Sequence, residues 1–149
     1  MTNKARIRFG SPADAAAIAP LLGELGYPAD AQQVRARVKR LSTQSDDPRD
    51  ALFIATSDDS ATPIGLLALH RFAAIHDDAD VAMIMALVVS QSARGTGVGR
   101  QLVEEAAETA RRWGCTRMLV TTHLRRADAH AFYERIGFEL TGRRYVKTL

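Results

Sequence analysis

The hydrophobic pattern of the first third of the chain predicts one short strand and two helices. A strand is expected over Arg6 to Phe9. Ser11-Pro12-Ala13-Asp14 then supplies a capping residue, a proline at the first helical position and an early acid, which together start a helix. This helix should run to about Leu25, because Gly26-Tyr27-Pro28 interrupts it. Asp30 can cap a second helix, since apolar residues recur after it at helical spacing. These residues are Val34, Val38 and Leu41.

The middle of the chain changes to extended patterns. After a polar loop from Ser42 to Asp50, Leu52 to Thr56 and Ile64 to Phe72 form two predicted strands, and the turn-rich residues 58–63 between them indicate a hairpin. Val81 to Val89 is wholly apolar, and its length fits a strand buried on both faces better than a helix. We expect it to be the central strand.

Helical spacing returns in the last third, where a long apolar stripe predicts a helix that begins after Gly97. The stripe consists of Val98, Leu102, Val103, Ala106, Ala110 and Trp113. Gly114 ends this helix, Met118 to Thr121 forms a short strand, and Ala127 to Ile136 forms a last helix. Residues 138–140 and 144–147 are predicted to close the chain as a strand pair.

Composition places these elements in one soluble domain. The chain has 149 residues, of which 46% are apolar and 25% charged, as in ordinary globular proteins. Its longest apolar run, Val81 to Val89, is far shorter than the roughly 18 residues a membrane helix needs, so no membrane partner is expected. The charged N-terminus lacks the apolar core of a signal peptide. We therefore expect a single cytoplasmic domain spanning residues 1–149.

Charge and cysteine content narrow the classes of function. The formal charge of +3 is spread over several segments, so the basic face of the second helix is interpreted as solvated surface, and nucleic-acid binding is not expected. Cys115 is the only cysteine, which excludes an internal disulfide, and its place at a helix-to-strand junction favours a structural role. The four histidines, among them His123 and His130, lack the spacing of a helical zinc motif, so no metal is expected.

The segment from Ser92 to Leu102 is a candidate anion site. A glycine-rich turn between a strand and a helix directs free backbone N–H groups and the positive end of the helix dipole to one place, and arginines at its borders can bind phosphate oxygens. The dinucleotide pattern fails because Arg100 stands where its third glycine belongs, and the NTPase phosphate loop lacks its lysine. What remains is Arg94-x-x-Gly97-x-Gly99.

This pattern, entered from Leu87-Val88-Val89, resembles the coenzyme A loop of the GNAT superfamily of N-acyltransferases. A second segment, Ala127 to Phe138, is similar to the family's Ala-x-x-Phe-Tyr-x-x-x-Gly-Phe element. The predicted order of helices and strands is also that of the family, so the resemblance covers nearly the whole chain. It implies an α/β (α+β) fold with a central mixed, mostly antiparallel sheet of 6–7 strands and about four helices.

The resemblance also implies a reaction and its residues. Acetyl-CoA would be the co-substrate, and a neutral amine would attack its thioester directly, with no metal and no covalent intermediate. Backbone groups of Leu87 and Val89 would pair with the pantetheine arm, and Arg126 or His130 would contact the coenzyme's phosphates. Tyr133 would protonate the departing thiolate. The pyrophosphate would be held by the loop residues Arg94, Gly95, Thr96, Gly97, Val98, Gly99 and Arg100.

The sequence leaves the base and the acceptor open. Many relatives place an acid just before Leu-Val-Val, where this chain has Met85 and Ala86. The acids between Asp77 and Asp80, with His70 and His76, could act through water, but solvated loop or strand-end positions are the favoured interpretation of each. An amine with a low pKa, or proton loss to bulk water, would need no dedicated base. The acceptor is expected to be a small-molecule amine. A protein or peptide amine, and a non-catalytic CoA-binding regulatory module, are the alternatives. Many relatives are dimers, so a homodimer stays open.

Overall fold

Five strands and four α-helices form the described part of the computed structural model, which covers residues 4–41, 43–122 and 124–149. Met1 to Asn3, Ser42 and His123 lie outside it, so the interpretation of His123 and the start of the predicted polar loop are not addressed. The elements are β1 (Arg6–Phe9), α1 (Ala15–Leu25), α2 (Ala31–Arg40), β2 (Asp50–Thr56), β3 (Pro63–Phe72), β4 (Val81–Val89), α3 (Val98–Arg112), β5 (Met118–Val120) and α4 (Ala127–Arg135). Short 3-10 turns cover Pro12–Asp14 and Gln91–Ala93.

The strands form one sheet in the order β1-β2-β3-β4-β5. The pairs β1–β2, β2–β3 and β3–β4 are antiparallel, which confirms the predicted hairpin of β2 and β3. The prediction that β4 is the central strand is wrong, because β3 is the middle strand of the five and β4 is the fourth. The chain divides into two compact units, one ending at Leu119 and one from Val120 to Leu149. The prediction of a single domain stays a prediction.

One face of the sheet is covered by α1 and α2. Asp30 caps α2 by accepting a hydrogen bond from the backbone N–H of Gln33 at 2.8 Å, as its position predicts. The apolar faces of the two helices cover alternate residues of β2, β3 and β4, and burying each large aliphatic side chain contributes about 1.5–3 kcal/mol. The cluster comprises Ala15, Ile18, Leu21, Val34, Leu52, Ile54, Leu66 and Val88.

The opposite face is covered by α3, whose predicted apolar stripe is buried. Gly65 of β3 lies under the first turns of this helix. A Cβ at Gly65 would lie 3.0 Å from Leu102 Cδ1 and 3.2 Å from Val98 Cγ1, so the absent side chain lets the helix approach the sheet closely. This contact fixes where α3 begins.

Three further expectations about the strands are corrected: their number, the terminal pair and the burial of β4. The sheet has five strands in the described residues, and the strand pair predicted over 138–140 and 144–147 is not formed. A strand needs a hydrogen-bonded neighbour and a buried face, whereas Leu140, Tyr145 and Val146 are exposed. The strand β4 is also not buried on both faces, because Met85 is 58% exposed.

We expect Gly65→Val to lower the free energy of unfolding by about 1–3 kcal/mol, because its methyl groups overpack the contact with Val98 and Leu102. Chemical denaturation measures this loss. Gly23→Val is the matched control, since a Cβ at Gly23 in α1 meets nothing within 4 Å. Equal stabilities of the two variants would contradict the role of Gly65.

Candidate functional site

The glycine-rich loop begins where β4 ends and leads directly into α3. The backbone passes through the 3-10 turn Gln91–Ala93, turns at Gly95 with φ 77°, and reaches the helix N-cap Gly97 with φ 90°. Both φ values lie in the left-handed region that glycine adopts without strain. The two glycines therefore turn the chain sharply from the strand into the helix.

The first turn of α3 presents several unused backbone donors. Its first helical hydrogen bond runs from Gln101 N to Gly97 O at 3.1 Å. The N–H groups of Val98, Gly99 and Arg100 precede that bond, so they have no acceptor within the helix, and they point along its axis. Together with the positive end of a 15-residue helix, they form a site suited to an anion.

Side chains of the loop itself stabilise its conformation and add positive charge. Val98 is buried beneath it, and the Thr96 hydroxyl donates to the carbonyl of Ala93. Arg94 Nε donates to Val89 O at 3.1 Å, and Arg100 Nε lies 3.1 Å from Glu104 Oε1. Both arginine residues are exposed, so both guanidinium groups are accessible to a phosphate. The Arg100–Glu104 ion pair is exposed as well, and such pairs contribute little to stability.

The register between β3 and β4 shows which backbone groups near the end of β4 point away from β3. Ser90 N donates to Ile64 O at 2.8 Å, which makes these residues a hydrogen-bonded antiparallel pair. Because such pairs alternate along the strands, the N–H and C=O groups of Val89 and Leu87 face the other edge of β4. β5 lies on this side of β4, and Ala82 N donates to Arg117 O at 3.2 Å near the start of β4, away from Leu87 and Val89. Backbone groups on the side of a strand can pair with an extended, amide-containing ligand. These are the residues that the resemblance assigns to the pantetheine arm.

A β-bulge interrupts β4 just before this segment. Ala86 pairs with Ala68, but Ile84 pairs with Leu69, which leaves Met85 as an extra residue without a partner position on β3. Neither Met85 nor Ala86 carries an ionisable group. The strand itself therefore offers no base at the position where the resemblance leads one to look.

The acids considered as bases are mostly engaged in ion pairs. Asp80 lies 3.0 Å from Arg49, and Asp77 lies 3.3 Å from Arg117. His76 is exposed in the loop after β3. His70 is different, because its Nδ1 lies 2.8 Å from Asp50 Oδ1 across the β2–β3 pair.

One contact that sequence reasoning missed ties α1 to the loop. The Glu24 carboxylate accepts a hydrogen bond from Gln91 N at 2.9 Å, at the first residue of the 3-10 turn. The two residues are 67 positions apart, so no local pattern announces the pair. A cavity of about 470 Å³ adjoins this contact, lined by Glu24, Ser90, Gln91 and Ser92.

The second unit carries the predicted tyrosine. The Tyr133 ring meets Phe132 and Phe138 edge to face, with centroids 5.2 and 5.4 Å apart, and its carbonyl accepts from Phe138 N at 2.9 Å. Burial raises the pKa of the Tyr133 phenol above its usual range, and the positive charge of Arg126 opposes that rise. The phenol is therefore protonated at neutral pH. Arg126 itself is exposed at the N-cap of α4.

Neither the buried cysteine nor the possible metal ligands among the described residues form a second candidate site. Burial raises the pKa of the Cys115 thiol, Asp80 raises it further and Arg71 opposes the rise, so the thiol is protonated and unreactive. No three His, Cys, Asp or Glu side chains of the described residues are grouped so as to hold a metal ion. Within the described ranges, no helix is long and apolar enough to cross a membrane.

The fold and the loop define the class of protein. The profile of the Acetyltransferase (GNAT) family matches residues 23–138, and the chain belongs to that family. The structure of a ribosomal-protein-alanine N-acetyltransferase from Brucella melitensis biovar Abortus 2308 superposes with a TM-score of 0.80 at 17% identity, covering 98% of this chain and 99% of the other. At that identity the similarity concerns the fold.

Two curated relatives are enzymes that act on small molecules. An aminoglycoside N(6′)-acetyltransferase type 1 from Stenotrophomonas maltophilia is 30% identical over 140 residues, covering 92% of this chain and 88% of the relative. An aminoalkylphosphonate N-acetyltransferase from Salmonella typhimurium is 35% identical over 86 residues, or 58% of this chain. That second match spans 56% of the relative's length.

We expect Gly97→Val to weaken acetyl-CoA binding at least tenfold, because a β-branched residue does not adopt φ 90° without strain and the loop must rearrange. Calorimetric titration with acetyl-CoA measures the Kd. Gly114→Val is the matched control, since Gly114 has φ 83° at the other end of α3 and adds the same strain away from the loop. An unchanged Kd for Gly97→Val would contradict the loop assignment.

We expect Glu24→Ala to raise the Kd for acetyl-CoA about fivefold, because loss of a hydrogen bond worth about 1 kcal/mol frees the start of the loop. Glu24→Gln keeps an oxygen that can accept from Gln91 N, so its Kd should remain near that of the wild type. If Glu24→Gln is as weak as Glu24→Ala, the carboxylate charge and not the hydrogen bond is responsible.

Proposed function

We propose that the protein is an N-acetyltransferase that transfers the acetyl group of acetyl-CoA directly to a primary amine of a small molecule. The observation that carries this proposal is the continuity of two binding features: the outward backbone groups of Leu87 and Val89 lead directly to the free amides at the start of α3. An elongated ligand with amides at one end and a pyrophosphate at the other matches that order.

In this proposal each part of the loop has a defined task. Amides from Arg94 through Arg100, a run that includes Gly95, Thr96, Gly97, Val98 and Gly99, hold the pyrophosphate. The Arg94 and Arg100 side chains add charge-assisted hydrogen bonds. Arg126 contributes positive charge toward the coenzyme's phosphates. Leu87 and Val89 hold the pantetheine amides and so fix the direction of the thioester.

The reaction joins the amine nitrogen to the thioester carbonyl carbon and breaks the carbon–sulfur bond. The amine must first lose a proton, since only its neutral form has a free electron pair. The departing thiolate then takes a proton from the Tyr133 phenol. The raised pKa of that phenol supports this role, because it keeps the proton on the oxygen until the thiolate forms.

The two curated relatives support a small, amine-bearing acceptor. One is named for aminoalkylphosphonates and the other for the 6′-amine of aminoglycosides. A protein or peptide amine is an alternative acceptor. The non-ionisable residues Met85 and Ala86 favour a second candidate function, a CoA-binding module without turnover, because the strand supplies no base there.

We expect free thiol to be released from acetyl-CoA when aminomethylphosphonate or an aminoglycoside with a 6′-amino group is added. Tyr133→Phe should lower kcat by about 10²-fold or more while leaving the Kd for acetyl-CoA unchanged, because only the proton donor is lost. Tyr145→Phe is the control, since Tyr145 is exposed in the same unit. Binding of acetyl-CoA without amine-dependent thiol release would favour the non-catalytic module.

A further inference from the structure

The face of the sheet that carries α1 and α2 is only partly covered by them. The buried cluster under these helices includes Ile54, Leu66 and Val88, and Ala68 borders it. Side chains alternate between the two faces along each strand, and the registers of β2, β3 and β4 align them. The same face can therefore be followed beyond the part that the helices cover. The half-buried positions reached in this way, here called the open floor, are Ala68, His70, Met83 and Ala86.

The open floor lies next to the backbone that would hold the thioester. Ala86 of the floor immediately precedes Leu87, and the bulge residue Met85 separates Ala86 from the rest of the floor in β4. Ala68 and Ala86 are half-buried and have the smallest side chains of the four. Of the four floor residues, His70 alone can exchange a proton.

His70 is held in a defined state by its neighbour. Its Nδ1 lies 2.8 Å from Asp50 Oδ1, in the cross-strand pair at which β2 begins, and its ring stacks on Phe72 at 6.1 Å. An ionised carboxylate only accepts hydrogen bonds, so Nδ1 carries the hydrogen of this contact, and in the neutral ring Nε2 then has the free electron pair. The His70 side chain is 38% exposed, which leaves it in reach of water.

The charges around the imidazole are simple. Asp50 faces it from β2, and β4 brings the uncharged Met83 to the paired position. On its own strand the neighbour Arg71 points to the opposite face, where it is buried. Among the residues paired with His70 on β2 and β4, Asp50 is thus the charged one.

We propose that His70, positioned by Asp50, is the base that removes the proton from the acceptor's ammonium group through a water molecule. This inference rests on the proposed function. It supplies, from the neighbouring strand, the proton acceptor that Met85 and Ala86 cannot provide.

The proton balance is complete with groups already described. Water takes one proton from the ammonium nitrogen and gives one to His70 Nε2, which later releases it to solvent. The nitrogen electron pair forms the bond to the carbonyl carbon, and the carbon–sulfur electron pair leaves with sulfur. The thiolate takes the Tyr133 proton, and the second proton lost by nitrogen restores the phenol through solvent.

The test compares pH profiles of kcat/KM for the wild type, His70→Gln, Asp50→Asn and His76→Gln, with aminomethylphosphonate and a 6′-amino aminoglycoside as acceptors. We expect His70→Gln to lose about 10²-fold at pH 7, with a gap that narrows as pH rises and the amine loses its proton unaided. The kcat/KM of Asp50→Asn at pH 7 should lie between the values of the wild type and His70→Gln. His76→Gln, an exposed histidine in the next loop, should follow the wild type.

Unfolding midpoints and the Kd for acetyl-CoA, equal to those of the wild type, show that each variant is folded and binds the coenzyme. Two results would overturn the inference and leave the proposed function intact: a wild-type profile for His70→Gln, or a loss that is the same at every pH, which marks a structural role. If the wild type itself releases no thiol with any amine, both proposals fail, and the wild-type rate alone identifies that case.

A direct observation supplements the kinetics. Nitrogen-15 spectra of the imidazoles, with His70 assigned from the His70→Gln variant, should show hydrogen on Nδ1. The His70 signals should shift when the acceptor that the enzyme turns over is added in the presence of free CoA. Signals that do not move at saturating amine would contradict the inference.

Discussion

The placement of α3 against the sheet determines nearly everything that the first unit can bind. Gly65 lets Val98 and Leu102 approach β3 closely, and this contact anchors the first turns of the helix next to the end of β4. The free amides at the helix start then follow directly from the outward backbone groups of the strand. An anion site and a strand edge thus become parts of one elongated surface, because a single tight contact aligns them.

The sheet face that carries α1 and α2 has two parts: one forms the hydrophobic core, and the other is the open floor beside the candidate site. Under α1 and α2 the side chains of β2, β3 and β4 are large, aliphatic and buried, and they hold the unit together. A few residues further along the strands the face carries alanines, a methionine and one histidine, and it is half exposed. The two regions differ in side-chain size and in their coverage by α1 and α2. Glu24 joins the two regions, since it projects from a core helix to the start of the loop.

The sequence predicts most of the elements, because each has a local cause. Asp30 caps α2, the apolar stripe defines α3, and glycines mark the turn between β4 and α3. The terminal strand pair is wrong because alternation reveals only that a segment could be extended. Whether a neighbouring strand offers hydrogen bonds depends on tertiary structure. The roles assigned to Tyr133, Arg126 and the loop residues stay predictions that the geometry supports.

The site was harder to predict than the fold for the same reason. The pairs Glu24–Gln91 and His70–Asp50 join residues 67 and 20 positions apart, and only the register of the sheet and the position of α1 bring them together. The bulge at Met85 was also hidden, because an uninterrupted apolar run contains no polar residue to mark the extra position.

That bulge shifts the alternation of side chains by one residue between the two halves of β4. After Met85 the even-numbered residues Ala86 and Val88 face α1 and α2, whereas before it the odd-numbered residues Val81 and Met83 take that side. A one-residue deletion at Met85 would restore a regular ladder and turn one half of the strand over. The number of residues in β4 therefore determines which side chains of each half face α1 and α2.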